Sequence, residues 1–502
     1  MKLQTLFAIA IAPPLFAQIS SDQHWLYDDF TDHRGEPFAM LSTNTHLYMG
    51  GLFLSAGGNV NEQDLTRYNY ATESWEDVPG TIGDGIGGRV DEIFQDSTGN
   101  IFFGGNFSLV GGTDARHIAR FNPTSGTWEA LFDPSSNLTK SNWDNGPADG
   151  RVLAIARGGN SIFVGGEFTD ASIPTNERFI LQYELGTGNS VSTGIWRPVG
   201  TGTGARVDDL LVLPNGDLLA ATRTASGLMR WNGSTWSDYA GGVDSSGSGG
   251  GGESVSVDPG VILSMALHPD GRIFVAGSFT TVGPSNLSAR YVAAYDPVAG
   301  TWDTLNGGFG PDYEQSNGTT FVANGVFDIE IDSTGKVYVG GDIQSAVGGA
   351  MGDSNHVAVW DDTGSWKSLG SGLGSTGSQI VNCLAVDDED RVFFGGVFSR
   401  GWEPSRSASA TTALWDGDEE LTVIPAQPDV PELRIEDGMI VLYARQGSVT
   451  QFRVREKDSL PLSASDNEYG PFGYPRFGIT RRELTPFDPS EPRLFFQMQL
   501  GL

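Results

Sequence analysis

Residues 101–107 read Ile-Phe-Phe-Gly-Gly-Asn-Phe, and the same alternation returns along the whole chain. It is LYMGGLF at 47–53, IFVGGEF at 162–168, IFVAGSF at 273–279, VYVGGDI at 337–343 and VFFGGVF at 392–398, with a degenerate DLLAATR at 217–223. The second small residue of each pair falls at 51, 105, 166, 221, 277, 341 and 396, giving steps of 54, 61, 55, 56, 64 and 55. Self-similarity at a period of about 57 residues marks a repeat architecture of seven units.

Each unit has one internal order. A short apolar alternation comes first, as in Val152-Leu153-Ala154-Ile155. A polar turn follows, such as Asp96-Ser97-Thr98-Gly99 or His268-Pro269-Asp270-Gly271, where Gly supplies the positive φ of the bend. After the small-pair strand and a loop, a third strand ends in an aromatic and a fourth begins with Trp. Tyr68 and Trp75, Phe121 and Trp128, and Tyr295 and Trp302 have six residues between them; Trp360 and Trp366 have five, Trp231 and Trp236 have four, and an insertion spreads Tyr183 from Trp196. Short β-branched and aromatic runs bounded by Gly, Asn and Asp are strands, and no long segment has helical periodicity. Four antiparallel strands repeated seven times predict an all-β fold, a seven-bladed β-propeller with a small C-terminal β domain. The small pair is expected where neighbouring blades approach most closely.

In most units the glycine doublet is followed 16–19 residues later by an aromatic and then by Trp, which resembles the kelch motif. The chain over roughly 22–425 therefore resembles kelch and galactose-oxidase-type propellers. It is similar also to propeller repeats of secreted bacterial proteins and of fungal cortical polarity markers. The resemblance implies fold more than function, because such propellers include both binding modules and enzymes. The copper-radical chemistry of galactose oxidase would need a Cys joined to a Tyr, a second Tyr and two His. Cys383 lies in a first-strand pattern without such a set, so that activity does not carry over.

The apolar stretch 3–17, broken by Pro13-Pro14, is too short to span a bilayer and reads as a signal peptide, residues 1–17. The propeller is assigned to 22–425, a proline-marked linker to 426–431 and a small C-terminal β module to 432–502. Glu420 stands where other units have Trp, so residues 24–30, which contain Trp25, are expected to complete the seventh blade; residues 421–424 are the alternative.

The chain has 62 acidic against 30 basic residues, a formal charge of −32, of which the C-terminal module from residue 428 contributes −2. That field excludes general binding to nucleic acid or anionic lipid, and it suits a solvated, salt-tolerant surface. A single Cys excludes a disulfide scaffold. Gly is 69 of 502 residues, an excess that the small-pair strands and their turns partly explain.

Candidate chemistry is sparse. His117 and His356 fill one repeat slot that Phe179 and Tyr291 fill in other units, which argues for ring packing rather than metal ligation. Arg116, Arg178 and Arg290 recur five residues before their unit's aromatic, which argues for structural pairing. Asp387-Asp388-Glu389-Asp390 reads as an acidic hairpin turn. No EF-hand loop, phosphate loop or serine-nucleophile motif stands out. Catalytic, cofactor and metal residues are therefore expected to be none, and no cofactor is implied.

These readings lead to an exported, non-catalytic propeller, secreted or held at the cell surface or in the periplasm. It would act as a monomer that binds a protein or glycan, with no nucleic-acid partner and no transmembrane segment. The alternative is a secreted lyase or hydrolase acting at the channel mouth. The inserts 137–149 and 308–324 depart most from the repeat, and their Trp143, Asp144, Asp312, Tyr313 and Glu314 are the candidate ligand contacts.

Overall fold

A computed structural model describes residues 25–26, 35–53, 64–131, 150–243, 260–309 and 325–415 apart from several connecting loops. The loop residues left out of those stretches are 73, 80–87, 111–112, 169–178, 344–355, 362–363, 370–371, 374–379 and 400–408. It also describes residues 313–314 and 320–321 and six strands between Glu432 and Leu500. The chain separates into two compact units, one of residues 29–416 and one of the remainder.

The larger unit is a seven-bladed β-propeller. Blade 1 consists of Gly35–Ser42, His46–Phe53, Leu65–Asn69 and Ser74–Glu76; blade 2 of Gly88–Gln95, Ile101–Phe107, Ile118–Asn122 and Thr127–Ala130. Blade 3 runs Gly150–Gly158, Ser161–Phe168, Ile180–Gly186, Ser190–Pro198, and blade 4 Val207–Val212, Leu218–Thr222, Leu228–Trp231, Trp236–Asp238. Blade 5 runs Ile262–Leu267, Ile273–Gly277, Val292–Asp296, Thr301–Asp303, and blade 6 Gly325–Ile331, Val337–Asp342, Val357–Trp360, Trp366–Ser368. Blade 7 contributes Ile380–Val386, Val392–Ser399 and Ser409–Trp415. The strand pairings within the blades are antiparallel among the described residues, and the first strand of each blade packs against the first strand of the next. The ring closes where the first strand of blade 7 meets that of blade 1, with Asn382 Nδ2 donating to the Pro37 carbonyl at 3.1 Å. Trp25–Leu26 is a short strand, and the other residues of both expected closing segments lie outside the described residues. The only helical turn among the described residues is a 3-10 turn at Leu305–Gly307.

The core is a series of seams between blades. One cluster joins Tyr48 and Leu65 of blade 1 to Val90, Ile93 and Phe103 of blade 2; others join blades 2 with 3, 3 with 4, 4 with 5 and 5 with 6. A repeat unit cannot bury its own apolar face, so stability comes from these nearest-neighbour seams.

The small pairs serve two purposes, of which the sequence anticipated one. A Cβ on Gly104 would lie 2.4 Å from Val152 Cγ1 of the next blade, and one on Gly165 2.5 Å from Val207 Cγ1. The first residue of the pair therefore sets the approach of blades. The second abuts its own blade: a Cβ on Gly105 would meet the Arg89 carbonyl oxygen at 2.1 Å. There the first strand carries a bulge, between Val90 and Glu92, and an equivalent register shift recurs in all seven blades.

The third-strand aromatic and fourth-strand Trp are direct cross-strand partners whatever the turn between them. Tyr68 faces Trp75, Phe121 faces Trp128, Tyr183 faces Trp196 and Tyr295 faces Trp302, with ring centroids 4.9–5.4 Å apart. The slot of His117 and His356 has a backbone cause beyond ring packing. Asp64, His117, Phe179, Tyr291 and His356 all have φ between 62° and 84°, and Gly227 takes that place in blade 4 with φ 69°. Their carbonyls receive the N–H of the second small residue, as in Gly105 to His117 at 3.1 Å and Gly341 to His356 at 3.0 Å. In blade 4 the strand register makes Thr222, not Ala221, the equivalent residue, and its N–H donates to the Gly227 carbonyl at 2.8 Å. A slot that accepts Asp and Gly as well as rings is selected by its left-handed turn.

The smaller unit contains two three-stranded antiparallel sheets. One has the order Glu432–Glu436, Met439–Arg445, Ile479–Pro486; the other Asn467–Gly473, Gln451–Lys457, Phe495–Leu500.

Candidate functional site

Antiparallel order fixes which connections share a face. The turns between first and second strands and between third and fourth strands emerge on one face, while the other connections emerge on the opposite one. The first face consists of tight turns built on Asp and Asn. Asp96 accepts from Thr98 N at 2.9 Å and Asn100 N at 3.1 Å; Asp332 accepts from Thr334 N and Lys336 N, both at 2.9 Å. Neighbouring turns are tied together, Ser333 donating through N and Oγ to Asp390 at 2.8 and 2.7 Å, and His268 Nε2 meeting the Gly335 carbonyl at 2.9 Å. Asp387 is likewise occupied by Glu389 N, Arg391 N and the Arg391 guanidinium. The acidic turn is thus a hydrogen-bonded hairpin, as its sequence implied.

The other face carries the long connections. Those of blades 2 and 5 form small hairpins, Leu109–Val110 with Thr113–Asp114 and Thr281–Val282 with Leu287–Ser288. The insert before blade 6 pairs Tyr313 with Phe321 and Glu314 with Thr320. Of the five expected contacts, Trp143, Asp144 and Asp312 lie outside the described residues.

The first strands converge on the centre of the ring. Immediately after each bulge stand Ala39, Glu92, Ala154, Asp209, Ser264, Asp328 and Cys383, so acids alternate with small residues. Asp209 accepts from Leu210 N and, across the seam, from Met265 N, both at 2.6 Å. Asp328 reaches both neighbours: Leu384 N of blade 7 at 2.7 Å and Ser264 Oγ of blade 5 at 2.8 Å. Glu330 lies two residues further along the same strand.

These carboxyls keep part of their surface open, yet burial is the largest influence on each of them. Enclosure therefore governs their charge. Burial pushes Asp209 up to about 8, against the opposing pull of its two backbone N–H groups. Burial, then repulsion from Asp328, pushes Glu330 up to about 8, and burial also raises Asp328. Glu92 is raised by burial and then by Asp209, Asp328 and Glu330, so acids from three alternate blades share one field. Burial likewise raises the thiol of Cys383, which is 2 % exposed and inert as a nucleophile. No group of three His, Cys, Asp or Glu among the described residues is arranged to hold a metal ion.

At the loop-side end of the first strands, one cross-strand pair per blade rims the centre. The pairs are Glu36 with Leu52, Arg89 with Asn106, Arg151 with Glu167, Arg206 with Arg223, Val261 with Ser278, Gly325 with Asp342, and Ile380 with Val397. The basic residues are confined to blades 2–4. Asp91, its side chain 3 % exposed, pairs with Arg89 and with Arg151 at 2.7 Å. Asp208, 4 % exposed, pairs with Arg206 at 2.8 Å and Arg223 at 3.1 Å. Burial, opposed by Asp91 and reinforced by Arg151, lowers the Arg89 guanidinium from its ordinary value.

Neither the central acids nor the rim arginines were singled out from the sequence. Their signal was present as Val-Asp-Glu at 90–92, Val-Asp-Asp at 207–209 and Val-Phe-Asp at 326–328, in alternate repeats.

A family model described as "Domain of unknown function (DUF5122) beta-propeller" matches residues 97–132 and 268–293, which fall in blades 2 and 5. No curated protein sequence matches the chain. Among solved structures, the chain is similar to a virginiamycin B lyase from Staphylococcus aureus, at 9% identity and TM-score 0.43, covering 78% of this chain and 98% of that one. It is similar to YCF48 bound to D1 peptide, at 13% identity and TM-score 0.43, covering 80% and 97%. It is similar also to PorZ, a surface component of the type-IX secretion system of Porphyromonas gingivalis, at 12% identity and TM-score 0.41, covering 93% and 59%. No helix among the described residues is long and apolar enough to cross a membrane.

Proposed function

We propose that the chain is an exported, non-catalytic β-propeller of kelch-like kind that binds a protein or a glycan on its loop-bearing face. The observation that carries this reading is the asymmetry of the two faces. One consists of tight turns bonded to one another, while the other bears the described hairpins after the second strands of blades 2 and 5 and before blade 6. The ligand contacts of this reading are Trp143, Asp144, Asp312, Tyr313 and Glu314 of the inserts 137–149 and 308–324. A rigid ring that presents variable loops on one side is suited to recognition. The apolar stretch 3–17 supports export, and the C-terminal β module is read as an accessory domain.

A second reading, a carbohydrate-active lyase or hydrolase, is favoured by one observation. Asp209 and Glu330 are carboxyls held near pKa 8, where a general acid is useful. Against it, Asp209 and Asp328 spend their oxygens on backbone N–H groups of neighbouring blades. A glycan and protein array, with a hydrolase and lyase screen on the same full-length preparation, separates the two. Saturable binding without turnover is expected; turnover lost on Asp209→Asn or Glu330→Gln would overturn the binding reading.

A further inference from the structure

We propose that the rim of blades 2–4 is a recognition site for an acidic peptide, whose carboxylates are taken by Arg89, Arg151, Arg206 and Arg223. This rests on the binding-module reading and deepens it by naming the ligand.

The argument starts from broken symmetry. Positions that serve the ring repeat in every blade, as the bulge and the small pair do. At the rim, blades 2–4 carry Arg while the matching positions of blades 5–7 hold Val261, Gly325 and Ile380, and blade 1 holds Glu36. Ring construction does not require those arginines. Four of the chain's 30 basic residues thus gather on one arc of a strongly acidic protein.

The arc is also built. Asp91 and Asp208 are almost fully covered, and each orients two guanidiniums taken from different strands. The arginine side chains keep 30, 28, 25 and 21 % of their surface exposed, in chain order. Arg151 and Glu167 are cross-strand partners, and Glu167 also touches Arg206 at 3.4 Å, so the two Asp-centred pairs form one continuous arc. Glu167 is 47 % exposed and its contact is the longest of the set, which makes it the carboxylate that an incoming one can replace. Guanidiniums held in place by buried carboxylates lose little side-chain freedom when a ligand carboxylate docks.

The neighbouring carbon favours a peptide over a uronate glycan. Leu52, paired with Glu36, is 56 % exposed, and Leu109, three residues beyond the Arg89 partner Asn106, is 46 % exposed. Aliphatic groups of that kind suit peptide side chains, whereas sugars stack on open ring faces. The Phe38 ring beside the arc is covered by the Arg89 guanidinium, 3.4 Å from its centroid.

The test is fluorescence anisotropy on the full chain with a labelled peptide of alternating Glu and Leu, a Lys/Leu peptide and an oligogalacturonate, at low and high salt. The Glu/Leu peptide should bind and weaken with salt. The double variant Arg151→Gln, Arg206→Gln should lose about tenfold or more in affinity. Glu167→Gln removes an exposed carboxylate, should leave folding unchanged and should tighten binding several-fold. Arg272→Gln, in a tight turn of the opposite face, should change nothing. Failure of the Glu/Leu peptide to bind the unaltered protein, binding indifferent to the arc variants, or binding of the oligogalacturonate alone would each overturn the proposal. An array ligand that ignores all four arginines would remove this site while leaving the binding-module reading standing.

Discussion

Trp302 donates its indole N–H to the carbonyl of Ala240, 62 residues earlier and one blade back, at 2.8 Å. The same clasp recurs from Trp128 to Pro79, Trp196 to Leu131, Trp236 to Val199 and Trp366 to Leu305, at 2.5–3.1 Å. In each case the outer-strand Trp faces its own blade's aromatic and secures the chain leaving the previous blade. The repeated Trp is therefore an inter-blade tie as well as a packing residue. Replacing Trp302 with Phe keeps a ring against Tyr295 but leaves the Ala240 carbonyl unbonded. A loss of about 1–2 kcal/mol in urea unfolding is expected. An unchanged midpoint would mean that solvent satisfies that carbonyl.

The two glycines of a pair should fail differently. Gly104→Ala forces a methyl against Val152 Cγ1 of the next blade, an overpacking that costs about 1–3 kcal/mol. Adding Val152→Ala in the same chain should recover part of it, because the obstacle is a side chain. Gly105→Ala meets the Arg89 carbonyl oxygen and the Val90 Cα, which no side-chain truncation can move. It should be the more damaging substitution and show no rescue by Val152→Ala. Unfolding midpoints for the two singles and the two doubles decide this.

His117 tests whether its slot belongs to backbone or to ring. Its φ is 73°, a conformation that Asn tolerates and β-branched residues resist. His117→Asn and His117→Val both remove the imidazole. The Val variant should nevertheless be less stable by about 1–2 kcal/mol. Equal stability of the two in thermal unfolding would return the slot to side-chain packing.

What was legible in the sequence followed from period and type. The doublets at 104–105 and 165–166 placed the second strands, and the aromatic–Trp spacing placed the outer two. Both signals are local, and turn residues fix their register. The bulge was not legible, because it exists only once two strands are paired; that hid the reason for the second glycine. The centre was hidden for the same cause. Glu92, Asp209 and Asp328 are more than a hundred residues apart and become neighbours only when the ring closes. Arg151 and Asp91 likewise meet across a seam between blades.

The central acids give the propeller a pH dependence with a definite sign. Asp209 and Glu330 have folded values of about 8, above their ordinary values of 3.8 and 4.5. The folded state then holds protons that the unfolded chain has already released. Their contribution is complete below the unfolded values and is lost as pH rises toward about 8. His356 acts in the opposite sense: burial lowers it to about 4, so its contribution is present above 6.5 and falls away as pH drops toward 4. Between pH 6.5 and 8 the unfolded histidines finish releasing their protons while two acids stay protonated in the folded state. The acids outweigh the histidines there, and the unfolding free energy should fall with rising pH. Asp209→Asn supplies a permanently neutral group of the same shape, so its slope across that window should be shallower than that of the unaltered protein. Urea titrations at matched ionic strength measure both slopes. Parallel slopes would show that Asp209 ionises in the folded ring as readily as in the unfolded chain, with its backbone hydrogen bonds to Leu210 and Met265 outweighing enclosure.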